Sequence, residues 1–143
     1  YKYFSDKHLI VATFFDEFTS EQLNEFIDKL ISIDCKEGGM RGLTILCKGT
    51  KPTGIGYKQI FAVSEKMKQA NYRENGKSAI VAHSILGYGL SRMYQMATDI
   101  TGLDEIQVYR ENNLLEAIKW LGVEDMTDKI MEFAQYCEST DTD

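Results

Sequence analysis

The stretch that decides the fold runs from Ala79-Ile80-Val81-Ala82 and His83-Ser84, through Leu86, Leu90, Met93, Tyr94 and Ala97, to Gly102 and Ile106-Gln107-Val108-Tyr109. The first four residues form a short apolar run, as in a strand buried on both faces. Leu86, Leu90, Met93, Tyr94 and Ala97 recur at helical spacing and lay one apolar stripe along a helix. Ser84 stands where a helix cap is needed, and Gly102 stands where a helix stops. Ile106–Tyr109 is a second strand. Strand, helix, strand is the unit that builds a parallel sheet.

The same unit recurs to either side. Upstream, Thr19 and Gln22 form a capping box ahead of Leu23, Phe26, Ile27, Leu30 and Ile31. Gly38-Gly39 is expected to end that helix. Leu43-Thr44-Ile45-Leu46-Cys47 is a buried strand, and Lys48–Gly56 is a loop holding three glycines and the chain's one proline. Tyr57, Ile60, Phe61, Ser64 and Met67 face one side of a second helix, which fades in a polar turn over 71–76. Downstream, Asn113 is expected to cap a helix with Leu114, Ala117, Ile118 and Leu121 on its apolar face, closed by Gly122. A last amphipathic segment covers 127–136. At the start, Tyr1–Ser5 and Leu9–Phe15 read as an antiparallel hairpin turning at Ser5-Asp6-Lys7. The expectation is an α/β chain: a mixed, mostly parallel sheet of about five strands, flanking helices and an N-terminal β-hairpin, forming a single domain over 1–137 with a disordered polar tail at 138–143.

Composition excludes several classes. At 43% hydrophobic and 27% charged over 143 residues, the chain matches an ordinary globular domain rather than a disordered segment, collagen or a coiled-coil rod. Sixteen Lys and Arg against 22 Asp and Glu leave a net charge of −6 with no basic stripe, which argues against nucleic acid. No apolar run reaches the length of a membrane span, and no secretory signal pattern opens the chain. Two histidines and no Cys-x-x-Cys leave no expected metal site. Cys35, Cys47 and Cys137 are odd in number and widely spaced, so Cys47 is expected as a buried free thiol in a reducing cytoplasm.

The stretch Gly89-Leu90-Ser91-Arg92-Met93-Tyr94 and the stretch Glu116-Ala117-Ile118-Lys119-Trp120-Leu121, each placed after a strand, resemble the SpoIIAA-like family. That family is a branch of the STAS, or anti-sigma-factor-antagonist, fold and is sometimes grouped with Sec14 lipid-transfer domains. The resemblance covers the last hundred residues. It implies a STAS-like single domain, a cytoplasmic protein and a homodimer. It also implies a non-enzymatic role as a binding or signalling module that holds a lipid-like or anionic ligand, meets a protein partner and carries no cofactor. In anti-sigma antagonists one strand-to-helix loop reads Asp-Ser-Ser-Gly-Leu-Gly and a serine in it accepts a phosphate. Lys51-Pro52-Thr53-Gly54-Ile55-Gly56 is the matching stretch here. Thr53 stands as the candidate phospho-acceptor, although the acidic residue is replaced.

Ligands of open α/β sheets bind where strands end and helices begin. One candidate site there is anion capture by Lys48, Lys51, Thr53, Gly54 and Gly56, where backbone N–H groups meet a helix start. Ser84, Gly87, Gly89 and Arg92 form a second, the two glycines allowing close approach and Arg92 able to pair with an anion. Its plainer reading is tight helix–sheet packing. The third candidate is an apolar pocket lined by Phe14, Tyr57, Phe61, Met93 and Tyr94. An alternative function is a small hydrolase with Thr53 or Ser84 as nucleophile or His83 as base, but the sequence places no acid to orient His83. A dimerisation module is the third reading. Peripheral membrane contact through the last helix is opposed by its acidic flanks Glu124, Asp125, Asp128 and Glu132.

Overall fold

The computed structural model describes residues 1–33, 39–70, 76–102 and 105–140, with backbone alone for 136–140. The N-terminal hairpin joins β1 (Lys2–Phe4) to β2 (Leu9–Phe14), both slightly shorter than expected. A 3-10 turn over Ser5–Lys7 connects them, and His8 closes it in the left-handed region at φ 47°. The rest of the chain alternates: β3 (Glu17–Thr19), α1 (Ser20–Ser32), β4 (Arg41–Leu46), β5 (Lys51–Thr53), α2 (Tyr57–Gln69), β6 (Lys77–Ala82), α3 (Ile85–Thr101), β7 (Glu105–Arg110), α4 (Leu114–Leu121) and α5 (Thr127–Thr140).

Five strands form the main sheet in the order β1-β2-β4-β6-β7. Only the β1–β2 pair is antiparallel; β2, β4, β6 and β7 run parallel. The sheet is therefore mixed and mostly parallel, flanked by helices, as expected. Each crossover steps in the same direction, and right-handed crossovers repeated in one direction leave their helices on one face. Accordingly α1, α2 and α3 share a face. After β7 the chain crosses to the other face, which α4 and α5 cover.

Strand side chains alternate between these faces. Leu9, Val11, Leu43, Ile45, Ala79 and Val81 join Leu114, Ala117, Ile118, Leu121 and Ile130 in one continuous core under α4 and α5. On the opposite face Ile10 packs with Ile27, Leu30, Met40, Val63 and Met67, while Leu46, Ile80 and Ile106 form a separate cluster. The core is continuous on one face and divided on the other.

Several local expectations hold. Thr19 Oγ1 accepts the Gln22 N–H at 3.2 Å and Gln22 Oε1 accepts the Thr19 N–H at 2.9 Å, closing the capping box. Ser84 Oγ accepts the Gly87 N–H at 3.0 Å. Gly102 and Gly122 stop α3 and α4 at φ 69° and 72°, where a Cβ would be strained.

Others are corrected. Helix α1 stops at Ser32, before the expected glycine pair, and Gly38 lies outside the described residues, as does most of the 71–76 turn. Asn113 makes no cap bond, because it closes a 3-10 turn over Glu111–Asn113 instead. Lys48–Gly56 is not wholly loop: β5 pairs in parallel with β3, setting Phe18 opposite Pro52. Proline is tolerated in so short a ribbon with open edges. Helix α5 runs to Thr140, into the segment expected to fray, and 141–143 lie outside the described residues. Cys47 is fully buried, as expected, but is disulfide-bonded rather than free. The other two cysteines lie outside the described side chains, and cysteine usage no longer argues for a reducing compartment. Among the described residues no helix is long and apolar enough to cross a membrane.

Candidate functional site

A pocket of about 100 Å³ lies between the sheet and the three helices α1, α2 and α3. Its floor is Phe14 of β2, Thr44 and Leu46 of β4, and Ser78 and Ile80 of β6. Phe18 of β3 also lines it. Helix α1 contributes Leu23, Phe26, Ile27 and Leu30, α2 contributes Ile60, Val63 and Met67, and α3 contributes Leu90, Ser91 and Tyr94.

The local sequence explains the hollow. On the α4–α5 face, β4 sends down Leu43 and Ile45, both at 0% exposure. On the pocket face the same strand offers Thr44, and β6 offers Ser78, both smaller than the leucine or isoleucine usual in a central strand. Large aromatics then bridge the gap. Phe14 meets Phe18 at 5.1 Å between ring centroids and Phe26 edge-on at 5.2 Å. Thr44, in the middle of a central strand, is only half-buried, so the pocket admits solvent to the sheet itself.

The lining carries no Lys, Arg, His, Asp or Glu. Two of its polar groups are already engaged: Ser91 Oγ donates to the Gly87 carbonyl at 2.7 Å, and the Tyr94 hydroxyl donates to Met67 Sδ at 3.6 Å. An engineered cavity of roughly 150 Å³ in another protein takes up benzene. This pocket is of that order, so it fits a ring or a short chain segment, and its open side lets the remainder of a ligand project.

Of the expected pocket residues, Phe14 and Tyr94 line it. Tyr57, Phe61 and Met93 do not: Tyr57 is exposed and stacks on half-buried Phe61 at 6.0 Å, and Met93 lies off the lining. Helical spacing marks all three as parts of apolar faces, but spacing alone does not say which part of a face meets the floor. Leu23, Leu90 and the small floor residues Thr44 and Ser78 are absent from the expected set. A readable signal exists at Thr44, a hydroxyl inside the otherwise apolar run 43–47.

The 48–56 segment is organised differently from an anion loop. Lys48 and Lys51 are exposed. Thr50, not among the expected site residues, is buried and donates its hydroxyl to the Phe14 carbonyl at 2.6 Å, pinning the segment to β2. Thr53 donates to Glu17 Oε1 at 2.8 Å, so a carboxylate missing from the local sequence arrives from β3. Gly54 takes φ +69°. The N–H of Gly56 already donates to Gln59 Oε1 at 2.9 Å, which leaves one donor fewer for an anion.

At the start of α3 the plainer reading fits Gly87. A Cβ there would meet Ser84 Oγ at 3.1 Å and Leu46 Cβ at 3.5 Å, so the glycine lets α3 rest on the sheet beside the pocket. Gly89 faces open space. Arg92 is exposed and donates to Gln95, and Arg110 lies over the Tyr88 ring at 4.4 Å. The acid the sequence lacked beside His83 comes from Glu111, whose Oε2 is 3.4 Å from His83 Nδ1. His83 Nε2 is buried and has no hydrogen-bond partner among the described residues. Ser84 Oγ is committed to its cap. Among the described residues no three His, Cys, Asp or Glu side chains gather as a metal site.

The chain matches no protein-family model, no curated protein and no solved structure.

Proposed function

We propose that this chain is a non-enzymatic, STAS-like binding or signalling module of the SpoIIAA-like kind, which holds a small apolar ligand between its sheet and α1, α2 and α3 and passes that state to a protein partner. The observation that carries the reading is the half-buried Thr44 at the floor of a largely apolar pocket. A central strand of a parallel sheet is ordinarily sealed; here it is reachable. Burying apolar ligand surface stabilises by about 25 cal/mol per Å², so even a ring-sized ligand gains a few kcal/mol of contact. Between the two ligand classes expected from the sequence, the pocket favours the apolar one, since Thr50, Thr53 and the Gly56 N–H of the 48–56 segment are already bonded to Phe14, Glu17 and Gln59. Native mass spectrometry of the purified chain, with melting curves across a panel of apolar compounds, tests the reading. A carried ligand or a raised melting temperature supports it; neither one, across the panel, refutes it.

The homodimer belongs to the same reading. Helix α3 leaves Ile85, Met96 and Ile100 exposed, Ile85 at 86%, as a surface for a second copy. A monomeric mass by light scattering at micromolar concentration would remove it. The cytoplasmic location also belongs to the reading, and a Cys47 disulfide that persists in cells would count against it.

A hydrolase is the second reading, favoured by the Glu111–His83 contact. In its disfavour, the nitrogen that would take a proton is enclosed, and Ser84 faces its own helix. Turnover of ester or phosphate substrates that is lost in His83→Ala would establish the hydrolase.

A further inference from the structure

We infer that the pocket selects a neutral ligand: an apolar ring or short chain carrying one uncharged hydrogen-bonding group, which meets the hydroxyl of Thr44. This rests on the pocket being a binding site and specifies what it accepts.

Two observations carry the inference. First, the lining offers no cation. A carboxylate or phosphate drawn inside would lose its hydration without gaining a partner, which is far more costly than burying a neutral hydroxyl that is hydrogen-bonded. The lysines of the 48–56 segment are exposed and line no part of the pocket. Second, the Thr44 hydroxyl is available. Ser91 and Tyr94 have committed theirs, whereas the Thr44 side chain makes no hydrogen bond among the described residues. It stands mid-strand, between Ala12 of β2 and Ile80 of β6 in register, on the floor of the pocket. A valine of nearly the same shape would seal that floor more favourably. A threonine hydroxyl on an apolar pocket floor offers an entering ligand a hydrogen bond that a valine cannot. A lipid-like ligand can carry an acid or an alcohol, and of the two the alcohol is the group that can enter the pocket.

Isothermal titration with benzyl alcohol, benzoate and toluene tests this, because the three share one ring and differ in a single group. Benzyl alcohol is expected to bind roughly tenfold or more tighter than benzoate. In Thr44→Val, benzyl alcohol is expected to weaken by about two- to tenfold while toluene is unchanged, and Thr44→Ser is expected to restore the alcohol. Benzoate binding as tightly as benzyl alcohol would overturn the inference and leave the pocket reading intact. Equal weakening of toluene and the alcohol, or no weakening of either, would overturn the role of Thr44. No binding by any of the three would remove the pocket reading itself.

Discussion

The two faces of the central sheet are built from the same strands and packed to different ends. Under α4 and α5, Leu43, Ile45, Ala79 and Val81 lie at 0% exposure and interlock with Ala117, Ile118 and Ile130. Under α1, α2 and α3, the intervening residues Thr44 and Ser78 are small and hydroxylated, and the core divides around a pocket. The filled face is also tied at its ends. Arg41 Nη1 donates to the Leu121 and Gly122 carbonyls at 3.1 and 3.3 Å, satisfying the end of α4. The lesson is a division of labour within one sheet: one face supplies stability, and the other gives up packing to keep a space.

That contrast can be broken by filling and emptying each face in turn. Ile118→Ala, on the filled face, is expected to cost about 2–5 kcal/mol of unfolding free energy, because its neighbours have no room to collapse into the void. Thr44→Leu, on the pocket face, is expected to leave stability within about 1 kcal/mol or to raise it, since it fills existing space, while abolishing binding of toluene-sized probes. Denaturant unfolding of the two variants checks both. Comparable losses would mean that the faces are not differently packed.

The glycines of α3 sharpen the contrast at smaller scale. Gly87→Ala presses a methyl group toward Ser84 and Leu46, lifts α3 from the sheet and is expected to lower the melting temperature. Gly89→Ala meets nothing and is expected to stabilise by about 0.5–1 kcal/mol through helix propensity. Thermal melts of the pair would separate a glycine that the packing requires from one that it does not.

The smallest effect is electrostatic. Lys7, in the hairpin turn, pairs with Asp125 ahead of α5. The hydrogen bond from Lys7 holds the Asp125 carboxyl below its ordinary range, and the same bond raises Lys7 above its own. A lowered carboxyl contributes stability above its unfolded pKa and loses it as the pH falls through the lowered value. A raised lysine contributes below its unfolded pKa and loses it as the pH rises through the raised value. Both side chains are largely in water, so the contribution is slight. Asp125→Asn is expected to flatten the acid limb of the pH–stability profile below about pH 4 and to leave neutral pH nearly unchanged.

Much of the fold was legible because it rests on local rules. The Thr19–Gln22 capping box, the Ser84 cap, the Gly102 and Gly122 stops and the apolar strand runs each depend on residues within a few positions of one another. The pocket was legible only in part. Phe14 and Tyr94 announce themselves by their aromatic character, but Tyr57 and Phe61 share that character and stack on each other at the surface. Strands β3 and β5 leave no signature in the sequence because three residues carry no readable alternation, and they exist only because Glu17 and Lys51 are brought side by side.

By itself, the sequence determined where most strands and helices begin and end, and that they alternate, because capping, glycine stops and hydrophobic period are short-range effects. The tertiary structure decided which side of the sheet each helix covers, that Glu111 comes to His83 and Glu17 to Thr53, and that Thr44 and Ser78 lie beneath a space instead of beneath a leucine. Those outcomes depend on the direction of successive crossovers and on volumes summed across elements far apart in the chain, and no local pattern encodes such a sum.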